Sequence, residues 1–335
     1  MDTAFFGVFD GHGGEEVSRY CALYLPDFIR DCSLYKENKI SEAIEECFLR
    51  FDRKLLEPDV QAELAKIGCI DDPDDIDENE TIDLKKEASM SLAQIIGKNL
   101  EYLKNNVNDA EKDGQINAII RANTVYVGNI GDSRCVISRN GKAIDLSQDH
   151  KPEDKIEKDR ILNAGAEIID GRVNGGLNLS RAFGDHIYKT KEDLSDREQM
   201  IVALPDIETF EIDWDSDQFL FLACDGIWNS MNSQEVVDFI NERLRDDKSL
   251  KEICEELFKA CLAPNTNGDG SGCDNMTCIL IQLHKEKLPN IKRTLDADGV
   301  DDHDSDGENL SKFKKSKISK EEEDLFKPGP STSSG

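Results

Sequence analysis

The sequence has few basic residues for the number of its acidic ones, and this imbalance argues against one class of partner. Among 335 residues, 41 are Lys or Arg and 70 are Asp or Glu, which gives a formal net charge of −29 at pH 7. Proteins that bind nucleic acid need a basic face for the phosphate backbone. We therefore expect no direct nucleic-acid partner, whereas the charge fits a basic partner or substrate, or simply solubility.

The sequence also lacks paired cysteine motifs and long apolar runs. None of its ten cysteines forms a C-x-x-C pair, and most lie inside apolar segments such as FLAC and MTCILI. This pattern is typical of reduced core thiols rather than of a disulfide framework or a zinc site. No apolar run approaches the length of a membrane span, and Asp2 stands where a signal peptide needs basic residues. We therefore expect an intracellular protein without a membrane partner.

Three common catalytic patterns are missing as well. The sequence contains no G-x-S-x-G nucleophile elbow and no cysteine followed by the arginine loop of a thiolate phosphatase. It contains no G-x-x-x-x-G-K-[ST] phosphate loop either. Chemistry based on a serine or cysteine nucleophile, or on a nucleotide-binding loop, is therefore not indicated.

Short strand-like segments and amphipathic helices make up most of the chain. Residues 4–9 predict a buried strand, and residues 14–31 and 40–56 predict two amphipathic helices. Further strands are predicted for INAIIRANTVYVGNI, CVIS, MIVAL, DQFLFLAC and MTCILIQL, and further helices near 152–164, 233–246 and 249–262. Because helices stand before and after groups of strands, the pattern favours packed antiparallel sheets with helices outside over a doubly wound parallel sheet.

Two stretches differ in composition from the rest. Residues 58–114 form a predicted acidic insertion, helical around LAQIIGKNLEYL and otherwise mobile. Residues 286–335 are polar and charged, and they predict a disordered tail. The remaining chain, within residues 1–285, is expected to form one catalytic domain that the insertion interrupts.

Four aspartates recur at the ends of predicted strands. Apolar runs end at Asp10, Asp132 and Asp225, and Asp274 precedes another apolar run. A single Asp–Gly pair is usually a turn, but a carboxylate at the mouth of a buried strand is costly unless a cation pairs with it. Oxygen ligands without a Cys or His cluster suit Mg²⁺ or Mn²⁺, and two such ions are suited to promoting attack on phosphorus. The recurrence therefore indicates one oxygen-rich cation pocket.

His12 follows Asp10 by two residues in the glycine-rich turn DGHGG. One interpretation is an exposed polar residue in a loop. The other is a general acid that protonates an alkoxide leaving group. The residues by themselves leave both interpretations open.

Acidic and basic segments near the end of the chain suggest other roles. Residues 302–313 begin like a calcium loop but carry Phe313 where the twelfth-position Glu is needed, and residues 265–276 end on Met276. A calcium-binding protein is therefore the weakest functional alternative. The Lys-rich segment 312–320 is either a nuclear-import signal or a solvated tail, which makes the expected location cytoplasmic, nuclear or both.

The chain carries, in order, a long series of motifs that resembles the type-2C, metal-dependent serine/threonine protein phosphatases: FGVFDGHGG, GDSRCV, DHKPED, NGGLNLSRAFGD, LPDIE, ACDGIWN, NSQEVVDFI and GCDNMT. The stretches DGHGGEEV, NGGLNLSRAFGD and CLAPNTNGDGSGCDNMTC, with the acidic insertion, resemble the gamma isoform in particular. The resemblance covers residues 4–57 and 115–283. It implies an α+β fold, in which a β-sandwich of two antiparallel sheets is flanked by helices and carries a two-metal site at one end.

The resemblance also implies a set of metal ligands. By motif, Asp10 would bridge two Mn²⁺ or Mg²⁺ ions, and Gly11 would offer its backbone carbonyl. Asp225 and Asp274 would hold one of the ions. Asp132 would belong to a weaker third metal position.

A mechanism and a substrate class follow from the same resemblance. A hydroxide that bridges the two ions would attack phosphoserine or phosphothreonine of a protein in one step, without a phosphoenzyme. His12 would protonate the leaving seryl or threonyl oxygen. Arg134 and Arg181 resemble structural partners of carboxylates, and Trp228 resembles a part of the architecture. The resemblance implies nothing about the oligomeric state.

The sequence departs from the family pattern in three places. Relatives carry, before FGVFDGHGG, an Arg that grips phosphate and acidic residues that complete the metal shell, so the resemblance implies an N-terminal truncation. The start of KDGQINAIIRANTVYV is short, which predicts a central strand that begins late or is mispaired. Asn229 stands where many relatives have Asp. These departures leave a second hypothesis, a catalytically impaired or inactive fragment that acts as a protein-binding module.

Overall fold

Two antiparallel sheets form the centre of the structure, a computed structural model that describes residues 3–11, 14–68, 115–264 and 272–284. The strands are β1 (Thr3–Phe9), β2 (Gln115–Arg121), β3 (Thr124–Ile130), β4 (Arg134–Arg139), β5 (Lys142–Asp145), β6 (Ile168–Ile169), β7 (Arg172–Val173), β8 (Asp206–Glu211), β9 (Asp217–Ala223) and β10 (Cys278–Gln282). One four-stranded sheet has the order β1-β2-β3-β8, and the other has the order β10-β9-β4-β5. β6 and β7 form a separate hairpin.

Eight helices accompany the sheets in the described part of the chain. They are α1 (Glu16–Asp31), α2 (Ser33–Lys36), α3 (Ile40–Lys54), α4 (Pro58–Ile67), α5 (Lys155–Asn163), α6 (Asp225–Trp228), α7 (Ser233–Arg245) and α8 (Leu250–Cys261). A short 3₁₀ helix covers His186–Tyr188. The helix predicted near 249–262 is confirmed as α8, and Ser249 and Glu252 form a reciprocal capping box at its start.

The alternation of side chains along β1 shows how one sheet serves two cores. Val8 is buried between the two sheets, in a cluster with Val127 of β3 and Leu222 of β9. Phe5 and Phe9 point the other way and pack against the cluster formed by α1, α3 and α4. On the far side of the sandwich, α7 and α8 cover the second sheet. The predicted α+β fold, a β-sandwich of antiparallel sheets flanked by helices, is confirmed.

Three details of the sequence prediction are wrong. The segment MIVAL is buried but forms no strand, and only Val202 makes an isolated bridge, to Arg181. Its apolar character comes from burial in the side-chain clusters beside the sheet, not from a ladder. The charged strand β8 was not predicted because it has no apolar run. Of the two alternatives for β2, mispairing is wrong, since all seven residues of β2 pair in register with β1 and with β3. The other alternative, a late start, depends on residues before Gln115 that lie outside the described ranges.

The first part of the predicted insertion packs as an ordinary helix. Residues Pro58–Ile67 form α4, whose Val60, Leu64 and Ile67 are buried in the cluster with α1 and α3. Residues 69–114, which include LAQIIGKNLEYL, lie outside the described residues, as do the calcium-like segment 302–313, the Lys-rich segment 312–320 and the rest of the tail 286–335. The division of the chain at these boundaries stays a prediction. None of the helices in the described ranges is long and apolar enough to cross a bilayer.

A buried ion cluster holds α5 against the segment that precedes β8. The Glu157 side chain is 3% exposed and accepts hydrogen bonds from Arg160 at 2.7 Å and from Arg181 at 2.6 and 3.0 Å. Arg181 also donates to Asp206 at 2.7 Å. Burial by itself would raise the pKa of Glu157, but the hydrogen bond from Arg181 and the two guanidinium charges lower that pKa from 4.5 to about 2.

We expect this cluster to make the fold acid-sensitive. Because the pKa of Glu157 is lower in the folded protein, its contribution is complete above pH 4.5 and disappears as the pH falls toward 2. The loss amounts to about 3 kcal/mol of unfolding free energy. Glu157→Gln should lower that free energy at pH 7 by about 3 to 5 kcal/mol, because it leaves two buried guanidinium groups uncompensated. Denaturant unfolding of the wild type and of Glu157→Gln between pH 7 and pH 3 measures both losses of free energy. Equal acid sensitivity in the two proteins would contradict the role given to Glu157.

Asn117, on β2, is a buried polar residue whose side-chain amide makes no hydrogen bond to the described residues. Its side chain is 2% exposed, and neither its Nδ2 nor its Oδ1 atom has a hydrogen-bond partner within the described ranges. We expect Asn117→Val to raise the unfolding free energy by about 1 to 3 kcal/mol, the cost of an unsatisfied buried amide.

Asn129 supplies the matched control for this substitution. It is equally buried, on the neighbouring strand β3, and its Oδ1 likewise has no hydrogen-bond partner within the described ranges, but its Nδ2 donates to the carbonyl of Gln148 at 2.9 Å. Asn129→Val should therefore lower the unfolding free energy, because it removes a hydrogen bond that Asn117 does not make. Urea unfolding of the two variants measures the difference, and a change of the same sign in both would refute the explanation.

Candidate functional site

The strand register brings the four predicted aspartates to one rim of the sandwich. In the first sheet, Phe9 pairs with Gln115 and Gln115 pairs with Ile130, so the chain leaves β1 and β3 at the same edge. In the second sheet, Ala223 pairs with both Cys278 and Arg134. The segments that carry Asp10, Asp132, Asp225 and Asp274 therefore all meet this edge. β1 also contacts β9 and β10, which joins the two sheets there.

Asp132 is the most deeply buried member of the group. It lies two residues after β3, beyond Gly131, whose φ of +97° suits glycine. Asp132 is 0% exposed, and one of its carboxylate oxygens, Oδ2, forms an ion pair with the ammonium of Lys151. The other oxygen, Oδ1, is buried and has no hydrogen-bond partner among the described residues. Half of this carboxylate is thus available to a further positive group.

Asp225 lies within electrostatic reach of Asp132. Burial is the largest cause that raises the pKa of Asp132; the charge of Lys151 opposes it, the negative charges of Asp225 and Asp149 reinforce it, and together they bring the pKa to about 6. Asp225 is itself only 2% exposed and accepts a hydrogen bond from the side chain of Asn229 at 2.9 Å. Two buried carboxylates that repel each other form a strongly negative point, which a cation would stabilise.

A close backbone contact fixes Asp225 beside the segment that contains Asp274. Gly226 lies so near the carbonyl oxygen of Asn275 that a Cβ atom at this position would overlap it. Asp274 is exposed, and its Oδ1 accepts a hydrogen bond from the amide of Asn275 at 2.8 Å. As its position beside Asp225 predicts, Gly226 allows another part of the backbone, the carbonyl of Asn275, to approach closely.

Asp10 and Gly11 complete the rim from the side of β1. Asp10 is half-buried and Gly11 is exposed. Burial, and after it the negative charge of Asp10, raise the pKa of the Cys224 thiol to about 11. Asp10 thus lies near the residue that precedes Asp225. His12 lies outside the described residues, and its catalytic role stays a prediction.

The structural roles implied for Arg134, Arg181 and Trp228 are confirmed. Arg134 forms two 3.1 Å hydrogen bonds with Asp149, and its guanidinium lies 5.0 Å from the centre of the Trp228 ring. Trp228 donates its indole N–H to the carbonyl of Ala223 at 2.7 Å. Arg181 belongs to the Glu157 cluster described above. Each arginine is engaged by a carboxylate.

His150 connects that cluster to the rim. Its Nδ1 accepts a hydrogen bond from the amide of Gly131 at 3.2 Å, which places the proton on Nε2. Nε2 then donates to Asp206 at 3.1 Å, and Asp206 is paired with Arg181. The backbone that carries Asp132 is therefore held by a chain of hydrogen bonds that begins at α5.

The donor set suits a hard cation at the Asp132–Asp225 pair. The buried Oδ1 of Asp132 and the mutual repulsion of the two carboxylates are the observations that support this fit. In the part of the chain that the structure describes, no group of three or more His, Cys, Asp and Glu side chains is arranged to hold a metal ion. The described residues therefore offer a hard cation two carboxylates at this position, those of Asp132 and Asp225.

Sequence reasoning missed Lys151 and His150. Both belong to the motif DHKPED, which follows β5 and contains no apolar periodicity. The available signal was the presence of a lysine and a histidine in a motif outside any predicted helix or strand. Their partners, Asp132 and Asp206, are distant in sequence, so only the tertiary structure identifies them.

Comparison with known sequences gives a family and several relatives. The sequence model of the family described as Protein phosphatase 2C matches residues 1–82 and 98–270. Protein phosphatase 1G of Mus musculus is 33% identical over 450 residues, which cover 84% of this chain and 83% of the relative. Probable protein phosphatase 2C 58 of Oryza sativa subsp. japonica is 43% identical over 299 residues, which cover 85% and 77%.

Comparison with solved structures agrees with the sequence match. A phosphatase from a pathogenic strain of Toxoplasma gondii superposes with a TM-score of 0.55 at 26% identity, covering 84% of this chain and 85% of that chain. A sex determining protein of C. elegans has the same TM-score at 23% identity, covers 84% of this chain and 57% of that chain, and supports the fold alone. The chain therefore belongs to the protein phosphatase 2C family and is a protein serine/threonine phosphatase, a hydrolase.

Proposed function

We propose that this chain removes phosphate from phosphoserine and phosphothreonine in proteins with the help of Mn²⁺ or Mg²⁺ at the rim of the sandwich. Family membership supports the phosphatase activity. The single structural observation that carries the metal dependence is the buried oxygen of Asp132, which has no hydrogen-bond partner within the described ranges and belongs to a carboxylate that a second buried carboxylate, that of Asp225, repels.

The residues proposed to hold the ions are those at the rim. Asp10, the carbonyl of Gly11, Asp225 and Asp274 would hold two ions, and Asp132 with Asp225 would hold a weaker third. When bound, such ions neutralise phosphate charge and lower the pKa of water so that it attacks phosphorus at neutral pH. Asp225 is central to this arrangement, because it contributes to both positions and is fixed by Asn229 and by the close approach of Gly226.

His12 is proposed as the group that protonates the leaving oxygen. It follows Asp10 and Gly11 directly in the chain, and these two residues belong to the rim. An imidazole can carry and release a proton near neutral pH, which suits a seryl or threonyl leaving group.

The charge of the chain supports a preference for basic protein substrates. A net charge of −29 attracts positively charged peptides and raises their rate of encounter. The effect should weaken as salt increases, because screening shortens the range of the attraction.

We expect Asp225→Asn to abolish metal-dependent turnover. The substitution removes one negative charge from both proposed positions and keeps the side-chain size, so kcat should fall by about a hundredfold or more. The measurement is phosphate release from a phosphothreonine peptide with Mn²⁺ and with EDTA.

Asp159→Asn is the matched control for this experiment. Asp159 is an exposed carboxylate on α5 that pairs with Lys155 at 2.9 Å, so the same chemical change there should leave kcat unaltered. Equal phosphate release in Mn²⁺ and EDTA, or full activity of Asp225→Asn, would contradict the metal-dependent mechanism. A folded wild-type chain without any release would favour the protein-binding module.

A further inference from the structure

Lys151 makes an ion pair that the proposed mechanism does not use. Its ammonium contacts Oδ2 of Asp132, which is the buried carboxylate proposed to bind a cation. The two partners differ sharply in exposure: the side chain of Asp132 is 1% exposed, whereas that of Lys151 is 40% exposed. One partner is thus fixed inside the protein, and the other reaches it from solvent.

The backbone at Lys151 is held in place by hydrogen bonds, so any movement of the ammonium comes from rotation about the bonds of the side chain. Its amide donates to Asp154 at 3.0 Å, and the preceding amide, that of His150, donates to the carbonyl of Gly131 at 2.9 Å. Pro152 follows directly and restricts the chain further. The four-carbon stem of a lysine carries a compact charge through rotatable bonds, which a planar guanidinium cannot do as freely.

We propose that Lys151 is an exchangeable internal cation: its ammonium neutralises Asp132 when no divalent ion is bound there and moves into solvent when one binds. This inference rests on the proposed function, since it takes the rim to be a cation site. Two positive groups at one buried carboxylate would repel each other, so a divalent ion that uses Asp132 must displace the ammonium or bind more weakly.

The proposal explains why a buried and repelled carboxylate is tolerated without a metal. Asp132 has Asp225 and Asp149 as negative neighbours, and Lys151 is the positive group that opposes them. It also gives a physical reason for a weak cation position, because each ion that binds must first release an ion pair already formed.

The expected consequence is tighter cation binding when the lysine is removed. Lys151→Gln should lower the Kd for Mn²⁺ at the Asp132 position by about tenfold, which corresponds to about 1.4 kcal/mol of lost competition. Lys151→Arg keeps the competing charge on a less mobile group and should bind no more tightly than wild type. Lys155→Gln, on an exposed side chain four residues later, is the matched control and should change nothing. Calorimetry on the full chain measures these values, and the binding class lost in Asp132→Asn identifies the position.

Residue-resolved labelling tests the movement itself without measuring activity. An amine-reactive acylating reagent is applied in EDTA and in Mn²⁺, and the modification of Lys151 and Lys155 is quantified by mass spectrometry. Lys151 should react slowly in EDTA and faster in Mn²⁺, whereas Lys155 should react equally in both. In Asp132→Asn, Lys151 should react fast under both conditions, because its partner has lost its charge.

The outcomes separate this inference from the proposed function. Tighter binding in Lys151→Gln together with Mn²⁺-dependent labelling of Lys151 supports the exchange. Unchanged or weaker binding in that variant, or labelling that ignores Mn²⁺, overturns it even when phosphatase activity depends on Mn²⁺. If no variant binds Mn²⁺ and wild-type turnover is the same in EDTA, the proposed metal dependence fails as well.

Discussion

Compensation of buried negative charge is the constraint on which much of this structure depends. The chain is strongly acidic, and several of its carboxylates lie where water does not reach them. Each must meet a positive group or a donor, because an isolated charge in the interior costs several kcal/mol. Asp52 pairs with Lys189 at 2.8 Å and accepts a hydrogen bond from the amide of Gly184, which joins α3 to the residues on both sides of the 3₁₀ helix.

The manner of compensation distinguishes structural carboxylates from functional ones. Glu157 is enclosed by two guanidinium groups, which are always charged and present several donors at once. Asp132 has one lysine on one oxygen and no hydrogen-bond partner on the other within the described residues. The first arrangement is complete and holds helix and loop together. The second is incomplete, and this incompleteness makes Asp132 suitable for binding an ion from solvent.

The antiparallel register turns local patterns into one site. Asp10, Asp132, Asp225 and Asp274 are widely separated in the chain, yet each stands at the point where its segment meets the same edge of the sandwich. Hydrogen bonding between strands fixes this edge, and the close approach of Gly226 to Asn275 draws two of the segments together. The chain of hydrogen bonds through His150 then links the edge to the Glu157 cluster, so the stability of the fold and the geometry of the site are connected.

The sequence by itself determined the elements with strong local signals. The apolar run at residues 4–9, the amphipathic pattern of α3 and the helix at 249–262 depend on neighbours in the chain, and all three elements were predicted. The aspartates at strand ends were predicted for the same reason. Only the tertiary structure decided that MIVAL is a buried loop, that the polar segment 206–211 is a strand, and that Lys151 pairs with Asp132. These features arise from contacts between distant segments, and burial and charge pairing across such contacts leave no periodic trace in the sequence.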